Sequence, residues 1–371
     1  MASPSKTTDS DLPTLRQRPA LARALDDWYA RGHRDLAWRR TRDPYHIWVS
    51  EIMLQQTRVE TVIPYYARFL ARFPDVSALA AAELDDVLKL WEGLGYYARA
   101  RNLHRAAGVV VAEHGGELPR DVDAVRRLPG VGRSTAGSIL CFAHGQRHPV
   151  LDGNVKRVLL RLYAVAQDKA RPPVDRWLWR AAETLVADAS RPADHSQALM
   201  ELGATVCLPR TPVCGDCPVA RWCEARRGGL TEEIPLRKKK RATPHYTIGV
   251  GVIRNKRGEV LVQKRPAHGL LGGLWEFPGG KREGREGLTE TVRREIAEEL
   301  GIHVAVHKKI ATIKHAYTHF HITLHAYHCT HLRGTPRPRA ADAWQWLPVA
   351  RLADLAFPRA NQRILELLGG R

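Results

Sequence analysis

No uninterrupted apolar run in the 371 residues approaches the roughly 18 that a membrane-spanning helix requires. The opening stretch, MASPSKTTDSDLPTLRQRPA, has no apolar core of a secretion signal and reads as a disordered, Ser/Thr/Asp-rich tail over residues 1–19. From these absences a cytoplasmic location is the expectation, and in a compartment where thiols stay reduced the six cysteines are not expected to form disulfides. No internal repeat is visible. Acid is the scarce charge: 39 Asp and Glu stand against 58 Lys and Arg, leaving a net +19. An excess of that size favours a polyanionic partner, most simply nucleic acid, because neutralised phosphates release counterions.

Strand-like alternation is also missing from the first two thirds. Apolar residues recur at helical spacing in ALARALDDWYA, SALAAAELDDVLKLW and WLWRAAETLVADA, with Gly and Pro breaks between them. From about residue 245 the pattern changes to YTIGVGVIR and EVLVQKR, two β-rich runs joined by NKRG. IPLRKKKRATP lies between the two regimes and reads as a basic linker over 232–244. About two domains are expected at this length, a helical one over 20–231 and an α+β one over 245–371.

Four cysteines fall close together, Cys207-x6-Cys214-x2-Cys217-x5-Cys223. Four thiolates so spaced in a reducing compartment point to a shared metal site. A four-cysteine zinc ribbon needs two C-x2-C knuckles and this run has one, so the spacing favours a cuboidal iron–sulfur cluster over zinc. Cys141 and Cys329 stand alone and read as packed and inert.

LPGVGRSTAGSIL, residues 128–140, reads as a helix-to-helix turn. Gly130 and Gly132 allow backbone N–H groups to face an anion, and the next helix adds its positive end, which suits a DNA phosphate. Asp152 follows in LDGNVKRV, either a helix cap or a chemical group. A second carboxylate candidate is Glu51, whose neighbours Ile47, Trp48, Ile52 and Leu54 imply a desolvated carboxyl with a raised pKa.

The hairpin, the later Asp and the cysteine spacing resemble the helix-hairpin-helix DNA glycosylases of the endonuclease III superfamily. SEIMLQQTRVETVIPYY, LWEGLGYYARARNLH and LDGNVKRV are similar to the MutY family, which removes adenine opposite 8-oxoguanine. The resemblance implies an all-α helix-hairpin-helix domain with a 4Fe-4S cluster on Cys207, Cys214, Cys217 and Cys223. It makes Glu51 the general acid, Asp152 the stabiliser of the cationic sugar and Asn154 their polar partner. Ser134 stands where strand-cutting relatives carry a Schiff-base lysine, so the implied enzyme is monofunctional. Gln56 and Tyr96 match residues that wedge beside the damaged pair, and Thr57 one that contacts 8-oxoguanine. Leu94, Gly130, Gly132 and Lys156 fall on DNA-binding segments, and Trp38, Arg39, Leu54 and Gln197 match the adenine pocket. The implied partner is duplex DNA with adenine opposite 8-oxoguanine or guanine, bound by a monomer.

Residues 280–302 spell a complete Nudix box, Gly280-x5-Glu286-x7-Arg294-Glu295-Ile296-Ala297-Glu298-Glu299-Leu300-Gly301-Ile302. Leu288, Val292, Ile296 and Leu300 form its helix's apolar stripe, while Glu295, Glu298 and Glu299 share another face and suit Mg²⁺ with a pyrophosphate substrate. This region resembles MutT, including Asn361, and Tyr317, Thr318 and His319 match the MutY family's 8-oxoguanine loop. Family members have often lost the box that this chain keeps. The alternative function is accordingly a nucleotide pyrophosphohydrolase, acting on 8-oxo-dGTP, whose helical half targets DNA.

Overall fold

The computed structural model describes residues 12–16, 18–236, 243–317, 319–337 and 339–369. In chain order they form helices α1 (Pro19–Arg31), α2 (Pro44–Leu54), α3 (Val59–Arg72), α4 (Val76–Ala80), α5 (Leu84–Leu90), α6 (Ala98–His114), α7 (Val122–Arg127), α8 (Arg133–His144), α9 (Gly153–Leu162), α10 (Pro172–Ala187), α11 (Pro192–Thr205) and α12 (Glu224–Arg227). Strands β1 (His245–Arg254), β2 (Val260–Lys264), β3 (Trp275–Glu276) and β4 (Gly279–Lys281) precede α13 (Leu288–Leu300). Then come β5 (His303–Ala316), β6 (His321–Arg333), β7 (Ala343–Leu347) and α14 (Arg359–Leu367). Two compact units result, and neither is contiguous in sequence: Met1–Ser77 with Ala106–Lys239, and Ala78–Arg105 with Lys240–Arg371.

The first unit is helical. Asp43 starts α2 by accepting hydrogen bonds from Tyr45 N at 2.8 Å and His46 N at 3.1 Å, and Pro44 presets the first helical φ. Tyr45, Ile47, Trp48, Val49, Ile52 and Met53 are all buried, so α2 is wrapped by its neighbours, chiefly α8. Asp121 caps α7 through Ala124 N at 2.8 Å. Between α7 and α8 the chain reverses at Gly130, whose φ of +78° is one that a side chain resists. Asp152 caps α9 by accepting from Val155 N at 2.7 Å, and α11 then packs on α1, α8 and α9.

The tail expected over residues 1–19 is not loose where it is described. Leu12 is buried, Trp177 Nε1 donates to the Pro13 carbonyl at 2.8 Å, and Arg18 N donates to Asp188 at 2.8 Å. Leu12 and Pro13 close the core around Trp177, which the polar composition of the segment hides. Residues 1–11, and 237–242 of the expected linker, lie outside the described residues.

The second unit is built on a mixed sheet of order β3-β2-β1-β6-β5, with β4 paired to β1 and β7 to β2. β1 and β6 run parallel, from His245 opposite His321 to Arg254 opposite Thr330, and the other pairs are antiparallel. The alternation in YTIGVGVIR has a physical reason. Val250 and Val252 face the α14 side, while Gly249 and Gly251 lie under α13. A Cβ on Gly251 would come 2.8 Å from Ile296 Cδ1, so the glycines let α13 sit close to the sheet. Val292, Ile296 and Leu300 are fully buried there, as the helical stripe requires. Among the described residues no helix is long and apolar enough to cross a membrane.

Candidate active site

A cavity of about 130 Å³ in the first unit is lined by Glu51, Asp152, Asn154, Trp38, Arg39, Leu54, Thr57 and Gln197, among others. Four separate pieces of chain deliver these residues: the 3-10 turn Ala37–Arg39, α2 with the turn after it, the start of α9, and α11. Burial pushes the Glu51 carboxyl up to about 7, and the nearby Asp152 charge adds to the rise, against a hydrogen bond with Ser138 and the charge of Arg39. Glu51 is therefore substantially protonated near neutral pH and able to give up a proton.

Asp152 is both of the things its sequence position allowed. It caps α9 through Val155 N, and its second oxygen accepts from Asn154 Nδ2 at 3.3 Å beside the cavity. Burial also raises its pKa, opposed by those backbone N–H groups and by Arg157. Asn154 is itself fixed. Its Oδ1 accepts from Arg157 Nη2 at 2.9 Å, and the same guanidinium reaches the carbonyls of Gly203 at 2.6 Å and Cys207 at 2.8 Å. Gly203 must lack a side chain, because a Cβ there would lie 2.6 Å from Asn154 Cβ. A buried chain of contacts thus runs from the start of the cysteine loop to Asp152.

Three residues of this site were not read from sequence: Arg34, Arg157 and Glu201. Glu201 is buried and accepts from Arg34 Nε and Nη2, both at 2.8 Å, and from Arg39 Nη2 at 2.7 Å. Burial works to raise its pKa, but the two guanidiniums outweigh it and hold the carboxyl at about 2. It stays anionic and pins two cations at the cavity. One signal was available, since Glu201 follows Gln197 by one helical turn on the same face of α11.

Ser134 does not line the cavity. Its hydroxyl accepts from Leu151 N at 3.0 Å, tying the hairpin helix to the residue before Asp152, so it supports the site rather than reacting in it. Lys156 is engaged too, donating to Asp175 at 2.6 Å. Gly130 and Gly132 are exposed at the hairpin tip. Gln56 is exposed with φ +57°, and Tyr96 in the second unit is exposed with φ +51°. Both proposed wedge residues therefore hold the left-handed conformation that side chains disfavour, a strain that clusters at functional positions. Leu94 does not join Tyr96 at the surface: it is buried, because the turn folds its side chain inward.

Cys207, Cys214, Cys217 and Cys223 line one small pocket together with Val206, Val213 and Ala220. Burial pushes the Cys217 thiol up to about 11, and the charges of Cys207, Cys223 and Cys214 reinforce the rise over the opposing Val219 N–H. Arg161 Nη1 donates to Cys207 Sγ at 3.3 Å. Burial raises the Cys223 thiol as well, and four sulfurs at one apolar pocket are a donor set that fits a metal cluster. The side chains are not closed around a centre: no group of three or more His, Cys, Asp or Glu among the described residues is arranged to hold a metal ion. Cys141 and Cys329 are buried, and burial raises their thiols to about 11 and about 12, which leaves them inert.

The second unit has its own cavity, of about 410 Å³. Tyr246, Tyr317 and Phe320 give it an aromatic wall, Arg265 and Lys281 supply cations, and Glu276 and Glu299 supply carboxylates. Asn361 also lines it, with Oδ1 accepting from Phe277 N at 3.2 Å. The expected trio of Glu295, Glu298 and Glu299 is divided. Glu299 is held by Gln263 Nε2 at 2.8 Å, Glu295 packs against Gly280, and Glu298 is exposed and paired with Arg294 at 3.1 Å. Helical spacing of three and four residues puts them on one side of α13, where Arg294 Nη1 bridges Glu295 and Glu298, 3.1 Å from each, while Glu299 is the one of the three that lines the cavity. Glu276, unread in the sequence, takes the second place at the cavity. His319 is exposed and Thr318 lies outside the described residues.

Comparison with known proteins finds two families along the chain, and the first match runs through residues 78–105, which fold into the second unit. Residues 49–188 match the family model of the HhH-GPD superfamily base excision DNA repair proteins, and residues 249–367 match that of the NUDIX domain. The adenine DNA glycosylase of Homo sapiens is 35% identical over 402 residues, spanning 94% of this chain and 73% of its own length. That of Mycobacterium tuberculosis is 40% identical over 274 residues, spanning 73% and 85%. Among solved structures, a thermostable thymine-DNA glycosylase is similar at 29% identity and a TM-score of 0.51, covering 56% of this chain and 96% of its own.

Proposed function

The chain belongs to the adenine DNA glycosylase family, and from that premise we propose that it removes adenine standing opposite 8-oxoguanine or guanine in duplex DNA. The observation that carries this reading is the pairing of Glu51, protonated near neutral pH, with Asp152 in one cavity beside Trp38, Arg39 and Gln197. An adenine extruded into the cavity receives the Glu51 proton at N7 and becomes a better leaving group. As the bond from sugar to base breaks, the Asp152 carboxylate faces the positive sugar, held in place by Asn154 and Arg157. Glu51, now anionic, accepts a proton from the incoming water. No lysine stands at the hairpin position, so the strand stays intact.

The net positive charge and the exposed glycine turn support duplex DNA as the partner. Cys207, Cys214, Cys217 and Cys223 would hold one 4Fe-4S cluster, whose contribution is a cross-link that orders the loop ending at Arg157's contact. Tyr317 and His319 would read the oxidised base. The test is an end-labelled duplex carrying adenine opposite 8-oxoguanine, guanine or thymine. Alkali-dependent cleavage of the adenine strand in the first two, with no cleavage before alkali, is the expected result. Absence of abasic product from all three would end the proposal.

The cavity of the second unit favours one addition. Its aromatic wall, its Arg265 and Lys281 cations and its Glu276 and Glu299 carboxylates suit a purine nucleoside triphosphate such as 8-oxo-dGTP. A divalent cation on the carboxylates would supply charge neutralisation and polarise a phosphoryl group. The helical half is no passive DNA anchor, because it carries the two-carboxylate cavity.

A further inference from the structure

The turn that carries Tyr96 is strained at its tip, and both of its stems are anchored on the sheet portion of the second unit. Within the turn, Trp91 Nε1 donates to the Gly95 carbonyl at 3.1 Å, and Arg99 Nη2 donates to the carbonyls of Leu94 at 3.3 Å and Gly95 at 2.9 Å. Those bonds shape the loop but do not place it. On the incoming stem Glu92 accepts from Phe357 N at 2.7 Å, and Lys89 Nζ donates to the Leu355 carbonyl at 3.0 Å. One turn earlier Asp85 pairs with Lys264 at 2.6 Å and accepts from Trp275 Nε1 at 3.4 Å. On the outgoing stem Arg101 Nη1 donates to the Gly272 carbonyl at 2.5 Å.

We infer that Glu92 and Arg101 are positioning residues for Tyr96: the sheet portion acts as the mount that holds the Tyr96 turn ready to enter DNA. A left-handed tyrosine persists only where its surroundings over-determine it, and anchors on both sides of the turn do this. Three of these anchors are backbone groups, Phe357 N and the carbonyls of Leu355 and Gly272, which cannot move away as a side chain could. Phe357 and Gly272 lie in the segments that wall the second cavity, next to Pro358 and to Leu271. Residues 240–371 therefore serve base extrusion itself and not only recognition of the opposite base. The inference rests on the reading of Tyr96 as a wedge and of the chain as an adenine glycosylase.

The test uses the full chain with Glu92→Ala, Arg101→Ala and the conservative Glu92→Gln, which keeps an acceptor for Phe357 N. Amide hydrogen exchange over residues 93–97 is expected to rise about tenfold in both alanine variants and to return to within about twofold of wild type in Glu92→Gln. Single-turnover adenine release from the mispaired duplex is expected to fall about tenfold, while release from a bulged, already unstacked adenine changes less than about twofold. Unchanged exchange in both alanine variants overturns the inference, as does equal loss on duplex and bulge. A wild-type chain that released adenine from neither substrate would instead remove the reading of function, with the exchange measurement still deciding whether the mount exists.

Discussion

Glu51 in the helical unit and Glu299 beneath the sheet are both raised to about 7, in each case first by burial, yet they stand in opposite surroundings. Glu51 shares a cavity of about 130 Å³ with one other carboxylate, Asp152, and with two arginines already committed to Glu201. Glu299 lines a cavity of about 410 Å³, is bound by Gln263 Nε2, and takes part of its rise from the charges of Glu276 and Glu295. Loss of water sets the proton affinity of each. The neighbours set its use: a lone acid facing one carboxylate can pass a proton to a base, whereas clustered carboxylates beside Arg265 and Lys281 suit a cation and phosphates.

Exchanging one atom at each glutamate breaks the comparison most sharply. Glu51→Gln is expected to slow adenine release by about a thousandfold, within the range general acids supply. Glu299→Gln is expected to leave it within about twofold, since it touches no part of the first cavity. Single-turnover assays of both variants decide this, and comparable losses would show that the two sites are not separate. The reverse pattern is expected when 8-oxo-dGTP and Mg²⁺ are supplied, with any turnover lost in Glu299→Gln and kept in Glu51→Gln.

The shared pKa gives the next effect. Above about pH 7 Glu51 loses its proton, so adenine release should decline about tenfold per pH unit, and a profile flat to pH 9 would remove Glu51 as the acid. The same shift bears on stability. The folded state keeps a proton that the unfolded chain releases near 4.5, so this group's contribution is intact below 4.5 and falls away as pH rises towards 7. At pH 8 Glu51→Gln should therefore raise the melting temperature, by a stabilisation on the order of 1–3 kcal/mol. Thermal unfolding at pH 5 and pH 8 checks the sign, because the gain should shrink at the lower pH.

A subtler break acts on placement alone. Gly203→Ala drives a methyl group against Asn154, and a displaced Asp152 should lower release about tenfold to a hundredfold with the carboxylates intact. Equal rates in the variant and wild type would show that Asn154 need not be held. The smallest effect is expected at Ser134. Its alanine variant strands Leu151 N and should cost about 1–2 kcal/mol of stability in thermal unfolding. Borohydride trapping of DNA should stay low in both forms, and efficient trapping would reveal another amine in a lyase role.

Local pattern made much of this legible. The α13 stripe, the glycine turn at residue 130 and the apolar neighbours of Glu51 are periodicities or conformational demands confined to a few residues, so spacing exposes them. Arg157 and Glu276 carried no such mark, and Glu201 only its one-turn spacing from Gln197. Each is an ordinary charged residue whose role depends on a partner far away in the chain: Arg34 lies 167 positions before Glu201, and Arg157's carbonyl acceptor at Cys207 lies 50 positions after it. Leu94 and Tyr96 show the same limit at short range, because which of two neighbours faces solvent was settled by how the turn folds.

By itself the sequence determined the order of helical and sheet regions and the presence of four closely spaced thiols. Those properties follow from composition and periodicity, which act through nearest neighbours. Only the tertiary structure decided that Asp152 is a cap and a cavity carboxylate at once, and that Ser134 supports the site instead of reacting. It also parted Glu298 from Glu299 and bound residues 78–105 to the sheet portion. Each of these depends on which distant groups exclude water from, or donate hydrogen bonds to, a given atom, and those quantities exist only once the chain has closed on itself.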